Sequence, residues 1–229
     1  MPLIHDKTSL IFGATRGTGL EIARILTGSG DAVTAVVRPQ SDSSELRDLG
    51  ADVLAGDAMD ADSVDSAFAQ GDYGSVIISL GGKRGEPRPD VIGAKYIVDA
   101  ARRHGVKRVL MITAIGSGDS QAAVAPKVIE VLGEVLAGKT EAEDHLMQSG
   151  LDATILRPGG MTSDPASGTA IKTEDHMTMG VINRADLARL TVDCLDDDAT
   201  IGKIFHTVDP EITWQAPLQR GDDTLHRKP

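Results

Sequence analysis

Short runs of aliphatic and β-branched residues recur along the chain, each followed by a longer stretch whose apolar positions fall three and four apart. Such alternation predicts βαβ units around a parallel sheet. Both faces of that kind of sheet are covered, so its strands read as near-continuous apolar runs. Strands are expected at about Ser9–Gly13, Ala32–Val37, Asp52–Ala55, Ser75–Ser79, Arg108–Thr113, Ala153–Leu156 and Lys203–Val208. The fold class this implies is α/β, an open, doubly wound, mostly parallel sheet of about seven strands with helices on both faces.

Between the strands, Leu20, Ile22, Ala23, Ile25 and Leu26 form one helical apolar face, stopped by Gly28 and Gly30. Val91 through His104 predicts a second helix, ended at Gly105 just before the next strand. Pro126 through Ser149 predicts a long third one, interrupted by Gly133 and Gly138, which mark either close packing or a bend. From Pro158 to Gly180 proline, glycine, serine and threonine interrupt the pattern and no element can be assigned. A loop of that length is usually functional. The expected organisation is therefore one α/β domain over residues 1–229, with a candidate substrate loop at about 158–182 and a polar C-terminal tail, containing Trp214, at about 210–229.

Composition narrows the classes. A chain of 229 residues, 41% hydrophobic and 25% charged, has the make-up of an ordinary globular protein. Its longest apolar runs fall far short of the ~20 residues that cross a bilayer. His5, Asp6 and Lys7 precede the first strand without the basic-then-apolar layout of a secretory signal, so a cytoplasmic location is expected. A single cysteine, Cys194, excludes an intrachain disulfide and reads as a buried thiol beside Leu187 and Leu190. With six scattered histidines it makes no zinc-type cluster, so no metal is expected. The formal net charge of −11 opposes binding to nucleic acid or anionic membrane. An anionic ligand must then be held by local positive groups. With no clear extra interface helix, the chain is expected to be a monomer or weak homodimer.

Those groups gather around the first strand–turn–helix. Leu10-Ile11-Phe12 leads into Gly13-Ala14-Thr15-Arg16-Gly17-Thr18-Gly19, and a helix follows from Leu20. Gly13 allows a tight turn, Gly17 lets backbone approach a pyrophosphate, and Gly19 lets the helix pack closely on the sheet. The helix start adds N–H donors and a positive dipole end. A purely geometric βα turn would use glycine too, but the flanking strand and helix favour a dinucleotide. An acidic residue at the end of the second strand would bond the ribose of NAD and repel a 2′-phosphate. Here that residue is Arg38. With Arg16 it offers two guanidinium forks, favouring NADP(H) unless both are merely solvated loop charges.

The spacing G-x-x-x-G-x-G resembles the glycine motif of the short-chain dehydrogenase/reductase superfamily. Further stretches extend the resemblance: Val36-Val37-Arg38, Gly56-Asp57, Ser79-Leu80-Gly81-Gly82, Gly105 to Val109, Ser149 to Asp152, Arg157-Pro158-Gly159-Gly160 and Arg184 to Ala188. The chain is most similar to the atypical NAD(P)-binding branch that includes biliverdin-IXβ/flavin reductases and NmrA-like proteins. That resemblance implies a Rossmann-type fold with NADP(H) lying along Gly13, Thr15 to Gly19, Arg38, Asp57, Ala58, Ser79 to Gly82, Thr113, Lys139 and Pro158 to Gly160. Asp57 and Ala58 would border the adenine, although Asp57 also suits a turn.

Typical superfamily members use Tyr-x-x-x-Lys with a serine. Lys139 resembles the lysine, but the residue four before it is Val135, which has no proton to give. On the serine strand, Thr113 offers a hydroxyl and Ala114 none. The expected catalytic residues are therefore Thr113 and Lys139, orienting cofactor or substrate, with the proton coming from solvent, Lys127 or His176. His176 also fits an exposed loop position. Lys83, Arg84 and Arg88 either attract an anionic substrate or are solvated, and Met161, Met177 and Met179 form either an adaptable lid or ordinary core contacts. The expected function is an NADP(H)-dependent oxidoreductase passing hydride to a small conjugated or aromatic substrate. The alternative is a non-catalytic NADP(H)-binding regulator of the NmrA type, and a reductase or isomerase of secondary metabolism is a third possibility.

Overall fold

The structure, a computed structural model, describes residues 8–82 and 86–212. The elements in chain order are β1 (Thr8–Phe12), α1 (Gly17–Gly28), β2 (Ala32–Val37), α2 (Ser44–Asp48), β3 (Asp52–Ala55), α3 (Ala61–Phe68), β4 (Ser75–Ile78), α4 (Ala94–His104), β5 (Arg108–Ile112) and α5 (Pro126–Met147). β6 (Asp152–Pro158), β7 (Gly160–Thr162), β8 (Ile171–Thr173), β9 (Val181–Asn183), α6 (Arg184–Leu195) and β10 (Lys203–Val208) complete them. The expectations for His5–Lys7, Lys83, Arg84 and most of the C-terminal tail, including Trp214, lie outside the described residues.

The main sheet runs β3-β2-β1-β4-β5-β6-β10-β8, parallel throughout except for β8, which pairs antiparallel with β10 through His206↔Thr173. This is the doubly wound Rossmann arrangement. All seven expected strands are present, and three more appear, β7 and β8 inside the segment left unassigned and β9 directly after it. One of these, β8, makes the sheet eight-stranded rather than seven-stranded, while β7 and β9 form a separate parallel pair. Each is three residues long, too short for a period of two to register.

Alternation within each strand feeds two cores. Leu10, Phe12, Val76, Ile78, Val109 and Met111 pack with residues of α3, α4 and α5 on one face. Ile11, Val33, Ala35, Ile77, Leu110 and Ile112 pack with residues of α1, α2 and α6 on the other. Cys194 lies fully buried in the second core, and burial pushes its thiol pKa up.

Local sequence sets the helix ends. Asp60 accepts from the amides of Asp62 and Ser63 to start α3, and Gly105, with φ +75°, terminates α4. The helix expected from Val91 begins as a regular α-helix only at Ala94, because Pro89 opens a π-helical turn over Pro89–Gly93. In α5, Gly138 marks close packing: a Cβ there would stand 2.9 Å from Val91 Cγ2.

Candidate functional site

Strand order reverses between β1 and β4, and the carboxyl ends of these strands open a crevice of the kind in which ligands bind in doubly wound sheets. The Gly13–Gly19 loop forms its floor. A Cβ on Gly13 would stand 2.2 Å from the carbonyl oxygen of Ser79, and one on Gly19 would stand 2.2 Å from that of Gly13. Neither position has room for any other residue. The loop is thereby held against the end of β4, and Ser79 continues the ladder by donating its amide to Phe12 O at 2.9 Å.

Helix α1 starts from Arg16, which makes no side-chain cap, and no acidic residue lies in its first turn. Its amino end therefore presents backbone donors and a positive dipole to the crevice. Arg16 and Arg38 are both exposed at this edge. Asp57 accepts from Met59 N at 2.9 Å, so one carboxylate oxygen already closes a turn. Ala58 is buried, and its carbonyl oxygen lies 2.8 Å from where a Cβ of Gly93 would sit. Pro158 and Gly159 are tied into neighbouring backbone through Ile115 N to Pro158 O (3.0 Å) and Gly159 N to Thr207 O (3.2 Å). These features fit a dinucleotide: a cradle that side chains would fill, an uncapped helix start and two exposed arginines.

Two ionic clusters line the β4–β5 side. Lys139 Nζ lies 2.9 Å from Asp90, which also receives Arg88 at 2.9 and 2.5 Å. Burial opposes ionisation of Asp90, but Lys139 and then Arg88 outweigh it and hold the carboxyl below its ordinary value. Arg88 is thus an ion-pair partner within the fold rather than a solvated charge.

The second cluster descends from Thr113. Its hydroxyl donates to Glu143 at 2.5 Å, and Glu143 takes a forked pair of bonds from Arg157 at 3.1 and 2.7 Å. Both ionic side chains are 2% exposed. Arg157 reaches onward to Asp119 at 2.6 Å, and Asp119 meets His176 Nδ1 at 2.7 Å. Asp119 is pulled down to about 2: its partial burial works against ionisation, and Arg157 and His176 overcome it.

The structure therefore separates the two expected catalytic residues in role. Lys139 belongs to the Asp90 cluster, and the proton of Thr113 is engaged by Glu143. His176 is neither free nor a bare loop residue, since its Nε2 also faces Ile204 O at 2.9 Å and its ring stacks on His206 with centroids 5.0 Å apart. Met161, Met177 and Met179 are 42%, 59% and 49% exposed, which excludes their being core contacts.

Glu143, Asp119, Asp90 and Arg184 were not singled out by sequence reasoning. Glu143 sits in Glu141-Ala142-Glu143 with nothing to distinguish it from a solvated helix charge. Arg184 lay within a recognised run without an assigned role. Among the described residues no cluster of histidine, cysteine and carboxylates suits a metal, and no helix is long and apolar enough to cross a membrane. A recess of ≈ 540 Å³ lined by Phe68–Tyr73 and His104–Val106 lies at the opposite, amino edge of the sheet, away from the glycine loop.

Comparison with known proteins agrees with this geometry. Residues 13–198 match the NAD(P)H-binding family. An uncharacterized chloroplastic protein of Arabidopsis thaliana is 29% identical over 222 residues, covering 90% of this chain and 78% of its own. An uncharacterized sugar epimerase of Bacillus subtilis, YhfK, is 28% identical over 201 residues, covering 85% and 91%. Among solved structures, ChuY, an anaerobillin reductase from Escherichia coli O157:H7, superposes with a TM-score of 0.82 at 29% identity, covering 91% of this chain and all of its own.

Proposed function

Because the chain belongs to the NAD(P)H-binding family, we propose that it is an NADPH-dependent reductase acting on a small conjugated acceptor. Arg38 at the carboxyl end of β2 carries the cofactor choice, since a guanidinium there bonds a 2′-phosphate where a carboxylate would repel it. Arg16 approaches from the start of α1. Gly13 to Gly19 would hold the pyrophosphate, Asp57 and Ala58 the adenine edge, and Ser79 to Gly82 and Pro158 to Gly160 the backbone margin of the ribose and nicotinamide. When bound, the cofactor supplies a hydride.

The side chains then set what can accept it. Val135 stands where the superfamily's tyrosine would, and Thr113 already gives its proton to Glu143. Thr113 Oγ1 is left as an acceptor, suited to an N–H of substrate or carboxamide rather than to protonating a carbonyl oxygen. Lys139 keeps a cation beside the crevice while Asp90 fixes its position. A ketone, which must gain a proton on oxygen as hydride arrives, suits this arrangement poorly. An extended conjugated system, whose charge is spread and whose proton comes from water, suits it better. The likeness to an anaerobillin reductase supports that class.

The missing acid equally supports a second reading, an NADP(H)-binding regulator without turnover. Titration calorimetry with NADPH and NADH is the test, followed by NADPH oxidation with linear tetrapyrroles, flavins, quinones and simple carbonyl compounds. The reductase reading expects tighter binding of NADPH, loss of that preference in Arg38→Ala, and turnover of conjugated acceptors only. Binding without turnover of any acceptor establishes the regulator instead, and equal affinities in the unmodified protein remove the NADPH assignment.

A further inference from the structure

We infer that Arg184 is a phosphate clamp that ties the bound dinucleotide to the 160–170 segment beside the substrate crevice. The inference rests on the cofactor reading above and adds a residue and a consequence to it.

Arg184 opens α6 directly after β9, and α6 packs along α1 on the same face of the sheet. Its side chain crosses to the glycine loop. The Cδ and Nε atoms lie 3.4 and 3.5 Å from the point where a Cβ on Gly17 would sit, and among the described residues nothing else outside the adjoining chain comes within 4 Å of that point. Gly17 is the first residue of α1 and has φ +58°. The open side of the phosphate cradle is thus bordered by one guanidinium, which pairs with no carboxylate among the described residues. Among the described residues one of its five N–H donors is used, in a 2.9 Å bond from Nη1 to Ser163 Oγ. Donors remain for an anion lodged at Gly17, and a planar fork matches phosphate oxygens.

The Ser163 bond gives the second half of the proposal. The turn that carries Arg184 is also what holds the 160–170 segment. Met161 is paired in register with Ile182, and Thr162 bonds Asn183. Asn183 Nδ2 donates to Pro165 O at 3.0 Å, and the Asp186 carboxylate accepts from the amides of Ser167 and Gly168 at 2.8 and 3.0 Å. A phosphate bound between Gly17 and Arg184 would fix the guanidinium that Ser163 uses, so occupancy of the nucleotide site would steady this margin of the substrate crevice.

Division of labour among the arginines makes the idea testable. Arg38 and Arg16 stand where a 2′-phosphate would lie and so discriminate NADPH from NADH, whereas a pyrophosphate contact affects both alike. Calorimetry on Arg184→Ala is expected to show NADPH and NADH each weakened by ~10-fold or more, the worth of a charge-assisted bond, with their ratio unchanged. Arg184→Lys should recover part of the loss. Hydrogen exchange of amides 161–170 should slow on adding NADPH to the unmodified protein and not in Arg184→Ala at saturating NADPH. Affinities within two-fold of the unmodified protein, or a loss confined to NADPH, overturn the clamp while leaving the cofactor reading intact. An unmodified protein that binds neither nucleotide overturns both. Should Arg184→Ala fail to fold, Arg184→Lys decides alone: unchanged affinity with unchanged exchange protection in that variant refutes the need for a fork.

Discussion

At the scale of single residues, the buried Glu143–Arg157 pair supports the β5 side of the crevice beneath Thr113. Two charges 2% exposed are tolerable only because the fork is complete and the remaining bonds go to Thr113 and Asp119. Such a pair is weak evidence of net stabilisation, but removing one partner strands the other, which costs about 3–5 kcal/mol. Glu143→Gln is therefore expected to lower the urea unfolding free energy by roughly that amount. Thr113→Val, which deletes only the neutral donor, should cost about 1–2 kcal/mol. Equal and small effects of the two substitutions would show that the Glu143–Arg157 pair contributes no more to stability than the Thr113 hydrogen bond. None of this was legible beforehand. Thr113 and Lys139 were found by position relative to a family pattern, and their partners Glu143 and Asp90 look like ordinary surface acids until the fold buries them. The places of the glycines and of Arg38 at the carboxyl edge of the sheet were readable because strand, turn and helix are contiguous in sequence, so spacing alone fixes where they lie.

At the scale of elements, the strands that the apolar pattern identified are, apart from the half-exposed edge strand β3, those buried on both faces, where a continuous run of β-branched residues is a physical necessity. The 158–182 segment escaped because the three-residue strands in and beside it exist only through pairings distant in sequence. β7 exists through β9, and β8 through β10. Its exposed intervening residues are held by side chains rather than by a backbone ladder. Asp186 is the main tether, accepting from two amides and from Ser167 Oγ. These bonds overcome the opposing effect of burial and keep its carboxyl below the usual value. Asp186→Ala should leave the central sheet intact while loosening residues 163–170. The expected signature is faster proteolytic nicking and hydrogen exchange confined to that stretch, with a loss of about 1–2 kcal/mol in global stability. A uniform acceleration of exchange across the sheet would instead make Asp186 a core residue.

At the scale of the whole molecule, the sequence gives a net charge of −11 but not where acid will weaken the fold. His206 supplies that location. It is wholly buried in β10 and faces Thr178 O at 2.8 Å through Nδ1, the ring of His176 on one side, and Arg157 and Asp119 beyond. Donation from Nδ1–H leaves Nε2 as an unprotonated acceptor with no partner among the described residues. Burial lowers the pKa of His206 from its ordinary 6.5, with the repulsion of His176 and Arg157 adding to it against the raising effect of Thr178 O. The unfolded chain therefore binds a proton as pH drops through about 6.5 while the folded chain does not, so stability falls on acidification through this window. The depressed carboxyl of Asp119 acts lower and with the same sign. Its contribution is full above the unfolded value of 3.8 and is lost as pH falls towards about 2. The two windows can be told apart. Urea midpoints between pH 7.5 and 5 should decline less steeply for His206→Gln than for the unmodified protein, although the variant starts lower because its ring stacking is gone. Taking the difference between the two proteins cancels the surface carboxylates they share. Parallel declines would mean that His206 accepts its proton in place, and the acid sensitivity would then have to come from the exposed charge as a whole.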